Sequence, residues 1–391
     1  MEELRNPFTP GAGTPPPELA GRSAILDRAS ILLQRTQKGR ISKSILLTGL
    51  RGVGKTVLLN EVNQLAKQLD FRRIFIEAHE EKPLAVLLAP QLRGLLLHLN
   101  RMEGAKEKVR RGLAALSGWV SSIKLSYDDI PIGIDIEPER GTADSGDLET
   151  DLPELFVVVG EAAASRNTQI VLLIDEVQYF KEKELSSLIM AMHKVQQERL
   201  PIVLVGAGLP VLPRLAGASK SYAERMFDFP ELGPLADEDA AMAIAGPITE
   251  EGESISSDAV AEVVRITQGY PYFLQEWGYQ VWNLASSSPI ELDVAHQASA
   301  ATTERLDKNF FRVRFDRLTQ GEKKLLRAMA ELGPGPYKTS DVADEMGLKI
   351  TSLGPRRAKL IQKGMIYSPQ HGELAFTVPL FDEFMQRAMP N

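Results

Sequence analysis

The sequence predicts an α/β fold: a parallel sheet with helices on both faces, followed by a helical lid and a C-terminal winged helix-turn-helix. Three observations predict it. Short apolar runs such as Ile170–Ile174 alternate with segments of helical spacing in the first half. This alternation favours parallel pairing, because each helix returns the chain to the same end of the sheet. Helical segments broken at Gly and Pro come next, and three short helices then precede two strands around a turn.

The elements of the first half follow from apolar spacing and from flanking Gly and Pro. The predicted helices, in order, are Ser23–Gln37, Lys55–Leu69, Pro83–Met102 and Leu152–Arg166. The predicted strands are Ile45–Thr48, Arg73–Glu77, Ile170–Ile174, Pro201–Val205 and, as a fifth, Phe227–Leu232. Helices broken by Gly and Pro are predicted between Asp237 and Ser288.

The length of 391 residues exceeds one typical core, so several domains are expected. We predict a nucleotide-binding domain over 1–233, a helical lid over 234–316 and a winged helix over 317–391. The Pro- and Gly-rich arm at 1–20 is expected to lie on the first domain. Residues 104–151 are predicted as an insertion with a β-hairpin, formed by Ser122–Tyr127 and Ile132–Ile136; it is either a partner surface or lid, or a decoration without chemistry.

The composition excludes several kinds of site. The chain has no Cys, which excludes disulfides, Cys–zinc sites and thiol nucleophiles, and its five His residues show no metal-ligand spacing. Neither a signal peptide nor an apolar stretch of about 18 residues is present, so no membrane partner and a cytoplasmic location are expected. From Arg305 onward, 15 Lys and Arg stand against 10 Asp and Glu, an excess of +5, whereas the whole chain carries −7. An anionic partner would therefore meet the C-terminal end.

A phosphate-binding loop is the strongest motif. Residues 49–56 read GLRGVGKT and match the pattern G-x-x-x-x-G-K-[ST], with a strand before them and a helix after them. Glycines let backbone N–H groups approach phosphate oxygens, Lys55 would contact the β- and γ-phosphates, and Thr56 would coordinate magnesium. The predicted cofactors are ATP and Mg²⁺, and the predicted contacts are Gly49, Gly52, Val53, Gly54, Lys55, Thr56 and Val57.

Two carboxylates follow the strand Ile170–Ile174. We expect this strand to lie beside the strand that precedes the phosphate loop, so that Asp175 holds the metal and Glu176 activates the attacking water. The alternative is a pair of solvated acids at a strand end. An acid directly after the metal ligand is typical of hydrolytic ATPases and unusual in small-molecule kinases and GTPases. The sequence thus favours hydrolysis, with Glu176 and Lys55 as catalytic residues.

With these motifs in place, the chain resembles origin-recognition-like AAA+ ATPases and the related archaeal-type STAND ATPases. The resemblance extends from about Pro7 to the C-terminus. It depends on residues 19–22 (LAGR), the phosphate loop and the acidic pair. Residues 221–225 (SYAER), 269–271 (GYP) and the C-terminal winged-helix pattern extend it.

The resemblance implies further site residues. Gly21 and Arg22 match a segment that contacts the base or ribose, and Pro271 matches a lid proline near the adenine. Arg225 matches an arginine finger, which would reach the γ-phosphate in its own site or in a neighbouring subunit; Arg214 is the next candidate. Structural alternatives stay open: a turn at Gly21, a helix start at Pro271, and a salt bridge of Arg225 with Glu224 or Glu231. One departure is that residues 206–208 (GAG) supply no polar side chain where AAA+ proteins carry a sensor after the fourth strand.

The C-terminal pattern predicts a winged helix. Thr319 and Glu322 form a capping-box pattern before the first helix, and the third helix runs from Ser352 to Lys363. On that helix Leu353, Leu360 and Ile361 are expected to face inward, and Arg356, Lys359 and Lys363 are candidate contacts to double-stranded DNA. Protein docking or autoinhibition is the alternative.

The function predicted from the sequence is a Mg²⁺-dependent ATPase, slow in turnover, whose nucleotide state controls a winged helix that binds DNA. The main alternative is a nucleotide-gated switch that acts on a protein partner without DNA. A third hypothesis is a kinase, or a nucleotide-binding scaffold without hydrolysis. A nucleotide-dependent homo-oligomer is a further candidate assembly, because Arg225 would then act between subunits.

Overall fold

The structure is a computed structural model that describes residues 1–11, 13–102, 106–123 and 140–390. The chain divides into two compact units. The first, which we name the sheet unit, comprises 22–49 and 55–232. The second, the helical unit, comprises 1–21, 50–54 and 233–391. The five residues 50–54 therefore belong to the helical unit, although the residues on both sides of them belong to the sheet unit.

Six parallel-paired strands form the sheet of the sheet unit, in the order β2-β3-β4-β1-β5, with β6 also pairing with β1. Every residue of β1, β3 and β4 is buried, as expected for strands covered on both faces. Their bounds are β1 Ser44–Gly49, β2 Arg72–Glu77, β3 Ile170–Asp175, β4 Ile202–Gly208, β5 Phe227–Asp228 and β6 Glu231–Leu232.

The helices of the sheet unit include all four predicted in its sequence, within four residues at each end. They are α1 Ser23–Gln37, α2 Lys55–Gln68, α3 Leu84–Arg101, α4 Lys106–Ser122, α5 Leu148–Ala164, α6 Glu182–Gln197, α7 Leu212–Ser219 and α8 Ala223–Met226. The apolar faces of α3, α4, α5 and α6 share one core with β2, β3 and β4, and Trp119 of α4 is fully buried in it. The α/β class predicted from the sequence is confirmed.

The predicted insertion contains a helix that was not predicted from the sequence, α4 at Lys106–Ser122. Val109, Leu113 and Leu116 are buried and recur at helical spacing, which is the signal that would have predicted it. The predicted hairpin lies outside the described residues, apart from Ser122, which ends α4, and Ile123.

Nine α-helices, one π-helical segment (Asp307–Phe311) and a small sheet are described in the helical unit after residue 233. The helices are α9 Asp237–Glu250, α10 Ser257–Thr267, α11 Pro271–Leu284, α12 Leu292–Leu306, α13 Arg312–Asp316, α14 Gln320–Glu331, α15 Thr339–Glu345, α16 Ile350–Gln362 and α17 Phe381–Ala388. The antiparallel sheet has the order β7-β9-β8, with β7 Tyr337–Lys338, β8 Ile366–Tyr367 and β9 Glu373–Phe376. From α14 to β9 the chain forms three helices followed by a hairpin, and the predicted capping box opens α14.

The N-terminal arm differs from the expectation that it lies on the first domain. Phe8 is buried, and its ring occupies the space that a Cβ on Gly278 of α11 would need. The Asn6 side chain donates to the carbonyl of Tyr279, and the Trp282 indole donates to the carbonyl of Glu2. These contacts bind the arm to α11 in the helical unit.

Candidate nucleotide-binding site

The phosphate-loop motif lies between the end of β1 at Gly49 and the start of α2 at Lys55, as predicted. Gly52 and Gly54 have φ values of +85° and +92°, which side chains other than Gly rarely adopt. Lys55 is buried, and its ammonium group donates a 2.9 Å hydrogen bond to the carbonyl of Gly49. The two predicted valine contacts, Val53 and Val57, are also buried.

Thr56 and Asp175 come together as predicted. The Thr56 hydroxyl donates a 2.5 Å hydrogen bond to Asp175 Oδ2, and the backbone N–H of Glu176 donates to Asp175 Oδ1 at 2.8 Å. Burial raises the pKa of Asp175 above its usual value, and the two hydrogen bonds oppose that shift only in part. Carboxylate and hydroxyl oxygens are ligands that small divalent cations accept, and a cation would offset the cost of burying the charge.

The residues present fit magnesium. Mg²⁺ prefers oxygen ligands and binds through one or two protein groups together with water and phosphate oxygens, which suits Thr56 and Asp175. Among the described residues, no group of three or more His, Cys, Asp or Glu could hold a metal by itself. The described residues therefore contain no metal site built from such side chains alone. Phosphate oxygens of the nucleotide would complete the ligands of a magnesium ion at Thr56 and Asp175.

The predicted position of the Asp175 strand was wrong. We expected β3 to lie beside β1, but β4 lies between them, with Ile174 opposite Gly206 and Thr48 opposite Gly208. Asp175 nevertheless reaches Thr56, because parallel strands end at the same edge of the sheet and α2 begins at that edge. Position 206 requires a glycine, because the Cβ of any other residue would lie 2.7 Å from a side-chain carbon of Leu46.

Glu176 follows the strand in a left-handed conformation, with φ +54°. Its carboxylate accepts a hydrogen bond from the side-chain amide of Gln178, in the short 3-10 turn Val177–Tyr179. The side-chain carbonyl oxygen of Gln178 accepts a 3.0 Å hydrogen bond from the backbone N–H of Leu209. Sequence reasoning did not identify Gln178, since its partner after β4 is distant in sequence.

The sugar and base candidates are divided between the two units. Gly21 has φ +66°, and a Cβ on it would lie 2.5 Å from the Asp239 carboxylate in the helical unit, so a glycine is required there. Arg22 precedes the first residue of α1 in the sheet unit. Pro271 is the first residue of α11.

The two tyrosines beside Pro271 contact the loop, which the sequence did not predict. The Tyr270 hydroxyl donates to the carbonyl of Arg51 at 2.5 Å. The backbone N–H of Tyr272 donates to the carbonyl of Gly52 at 3.1 Å. A Cβ on Gly52 would lie 3.1 Å from both tyrosines.

The arginine-finger candidate is accessible. Arg225 lies in the short helix α8, is exposed and forms no ion pair in the part of the chain that the structure describes. The alternative salt bridges with Glu224 and Glu231 are therefore not formed there. Arg214 is likewise exposed, on α7.

The three DNA candidates, two on α16 and Lys363 directly after it, have different surroundings. Lys363 donates to the buried Glu322 carboxylate at 2.8 Å and to the Arg317 carbonyl at 3.0 Å. Arg356 is half-buried, and a Cβ on Gly321 would lie 3.1 Å from its Nε. Lys359 is exposed.

The inward-facing residues predicted on α16 are partly wrong. Leu353 and Leu360 are fully buried, but Ile361 is 37% exposed. The reason is helical geometry: Leu353 and Leu360 are seven residues apart and share a face, whereas Ile361 is rotated by about 100° from Leu360.

Comparison with known families agrees with this geometry. A family model described as an AAA ATPase domain matches residues 18–205. The matched segment contains the phosphate loop, Asp175 and Glu176, in agreement with the resemblance to AAA+ ATPases stated from the sequence. A second model, a domain of unknown function (DUF8462), matches residues 308–385.

Solved structures resemble the chain beyond the AAA ATPase domain. The Walker-type ATPase of Pyrococcus abyssi is 14% identical, with a TM-score of 0.54 over 92% of this chain and 95% of that one. The RuvB Holliday junction branch migration motor of Thermotoga maritima has 16% identity, a TM-score of 0.45 and 96% coverage of both chains. The Aeropyrum pernix Orc1 protein, solved in complex with DNA, has 14% identity, a TM-score of 0.45 and coverage of 95% and 94%.

These likenesses show the fold alone. None of the curated proteins compared with the chain matches it. Across the described residues, every helix is too short or too polar to cross a bilayer.

Proposed function

We propose that the chain is a magnesium-dependent ATPase whose nucleotide state controls its C-terminal domain, a winged helix. The observation that carries the proposal is the hydrogen bond between Thr56 and Asp175, next to the buried ammonium group of Lys55. These three side chains are the ones that a Mg²⁺–triphosphate requires: a hydroxyl and a carboxylate for the metal, and a cation for the phosphates. When bound, the metal would neutralise charge on the phosphates.

Hydrolysis rather than phosphate transfer is supported by Glu176. Its carboxylate directly follows the metal-binding Asp175, and the amide of Gln178 holds one of its oxygens. The other oxygen can accept a proton from a water molecule, which is the role of a general base.

Control of the C-terminal domain is supported by residues 50–54, which pack within the helical unit. The backbone N–H of Arg51 donates to the carbonyl of Thr377 at 3.3 Å. The Arg51 guanidinium lies against Gly364, which follows α16, so that a Cβ there would be 2.6 Å from Arg51 Nη2. A cation is favourable at the carboxyl end of a helix. A phosphate that reorganises the loop would therefore disturb the end of α16.

The first experiment measures Mg²⁺-dependent phosphate release from ATP. Lys55→Ala is expected to abolish nucleotide binding, and Glu176→Gln is expected to lower turnover about 10²–10⁴-fold while ATP still binds. Lys67→Ala, at the exposed end of α2, and Glu182→Gln, in the exposed first turn of α6, are the matched controls. The proposal fails if Lys55→Ala binds ATP as tightly as the unaltered protein.

Double-stranded DNA is the partner that the basic residues of α16 suggest. Replacing Arg356 and Lys359 with Ala should weaken duplex binding in about 50 mM salt, whereas replacing the exposed Lys38 and Arg40 should not. Lys363 is left in place, because its removal would leave the buried Glu322 carboxylate without its cation. Absence of duplex binding with ATP at low salt would reject a DNA role.

A protein partner is the second candidate, and a specific observation favours it. Leu348, Ile350 and Ile361 expose 37%, 54% and 37% of their surface just before and along α16. Exposed apolar residues on a helix face are typical of protein docking more than of phosphate contact. The same ATPase cycle would then switch access to this face, and replacing Ile350 and Ile361 with Ser would leave turnover unchanged but abolish partner binding.

A further inference from the structure

The strand next to the site, β4, ends in residues that carry no polar side chain. Gly206, Ala207 and Gly208 complete β4 and are buried. The polar side chain beside the end of β4 comes instead from Gln178, which follows the neighbouring strand β3.

Gly208 leaves the room that Gln178 occupies. A Cβ built on Gly208 would lie 2.7 Å from Gln178 Oε1 and 3.0 Å from a methyl group of Leu212. The absence of a side chain on Gly208 thus leaves the space that the Gln178 amide fills.

The hydrogen bonds of Gln178 fix the orientation of its amide. The backbone N–H of Leu209 is only a donor, so the oxygen of the amide must face it. The NH₂ group therefore points to the opposite partner, the carboxylate of Glu176, to which it donates. The reverse orientation would place two donors against each other at Leu209 and two acceptors against each other at Glu176.

We infer that Gln178 is a positioning residue for hydrolysis, which orients the Glu176 carboxylate toward the attacking water. The inference rests on the proposed function. A carboxylate free to rotate would present its oxygens in many directions, whereas one held at a single oxygen keeps the other available as a base. Gln178 acts through Glu176 and needs no contact with the nucleotide.

A purely structural role is the competing explanation, because Gln178 also ties the turn Val177–Tyr179 to the end of β4. Gln178→Glu separates the two roles. The glutamate has the same shape and still accepts the N–H of Leu209, but it cannot donate to Glu176 when ionised. A structural role predicts near-normal turnover in this variant, and a positioning role predicts a loss.

The experiment measures kcat, KM for ATP, ATP affinity and melting temperature for Gln178→Glu and Gln178→Ala. For Gln178→Glu we expect kcat to fall about 10–100-fold, with KM, affinity and melting temperature close to those of the unaltered protein. Gly208→Ala, which displaces the Gln178 side chain without altering it, should reproduce the loss if Gln178→Ala fails to fold. Gln196→Glu, whose side-chain amide donates to the Ser42 carbonyl, is the matched control.

A double-mutant cycle completes the test. In a Glu176→Gln background, Gln178→Glu should cause no further loss, because its effect passes through Glu176. Gln178→Glu turnover within about twofold of normal, or a full additional loss in that background, overturns the inference alone. Absence of Mg²⁺-dependent turnover in the unaltered protein overturns the proposed function and the inference with it.

Discussion

Thr56 and Asp175 are 119 positions apart in sequence, yet the Thr56 hydroxyl and the Asp175 carboxylate share a 2.5 Å hydrogen bond. Thr56 lies in the first turn of α2, which follows β1, and Asp175 ends β3, two places away from β1 in the sheet. The folded sheet therefore places the two proposed magnesium ligands together. This pre-organisation reduces the ordering that metal binding would otherwise require.

The buried charge of Asp175 leads to the first prediction. Burial raises the pKa of this carboxyl, so its ionised form costs folding free energy, and that cost appears as the pH rises through the folded-state pKa. Asp175→Asn, which can keep hydrogen bonds to Thr56 and to the Glu176 N–H, should raise the melting temperature by a few degrees without nucleotide. The same variant should lose Mg²⁺-dependent turnover. An unchanged or lower melting temperature would contradict this account.

The second prediction concerns the contact between Tyr270 and the loop. Tyr270→Phe removes the hydroxyl that donates to the Arg51 carbonyl and should destabilise the protein by about 1 kcal/mol. Hydrogen exchange at Gly52 and Val53 should become faster, and the ATP-induced change in exchange at the hairpin β8–β9 should become smaller. Tyr279→Phe, on the helix α11 that directly follows Tyr270, is the control, because its hydroxyl donates to the Glu3 carboxylate. Identical exchange in both variants would show that the tyrosine hydroxyl does not restrain the loop.

The third prediction concerns acid stability of the helical unit. Burial tends to raise the pKa of Glu322, but hydrogen bonds from Lys363 and Thr319 outweigh it and lower the pKa below the usual glutamate value. A lowered folded-state pKa gives stability that is present above the usual glutamate pKa and is lost as the pH falls through the lowered value.

Glu322→Gln should therefore reduce stability near neutral pH by about 1–2 kcal/mol and flatten the acid limb. Urea unfolding between about pH 3 and pH 7 measures this. The control is Glu345→Gln, at an exposed position on α15. An acid limb of the same slope in Glu322→Gln and the unaltered protein would show that another group causes it.

The fourth prediction concerns assembly. Arg225 is exposed and unpaired in the described residues, so it is available to a nucleotide bound by a second copy. If it acts between subunits, specific ATP turnover should rise with protein concentration, and Arg225→Ala should lower the plateau about 10³-fold or more. Arg214→Ala is the comparison, on the neighbouring helix. Specific turnover that stays constant over a wide concentration range, and is still lost in Arg225→Ala, would place the arginine in its own site.

The local features of the site were predictable from sequence. The run Ile170–Ile174 followed by two acids, and the phosphate-loop motif between an apolar strand and a helix, appear in the structure at the predicted positions. Such features depend on neighbouring residues alone: burial of a short strand, positive φ at Gly52 and Gly54, and helix formation after Lys55.

The features that were predicted wrongly, or not predicted at all, mostly depend on residues distant in sequence. The position of β4 between β1 and β3 places Gly206 against the side chain of Leu46, a contact between distant residues that no periodicity reveals. The contact of Tyr270 with Arg51 joins segments 219 positions apart. The missed helix α4 is different, because its apolar spacing was readable and was overlooked beside the Gly- and Asp-rich residues that follow.

The left-handed backbone at Glu176 has a consequence for variants selected for heat resistance. A glycine would adopt φ +54° without strain, whereas a glutamate there costs about 1 kcal/mol or more. Selection for stability alone would therefore favour Glu176→Gly, and that replacement would remove the proposed base. A screen for thermal stability alone would therefore select against the side chain on which the proposed hydrolysis depends.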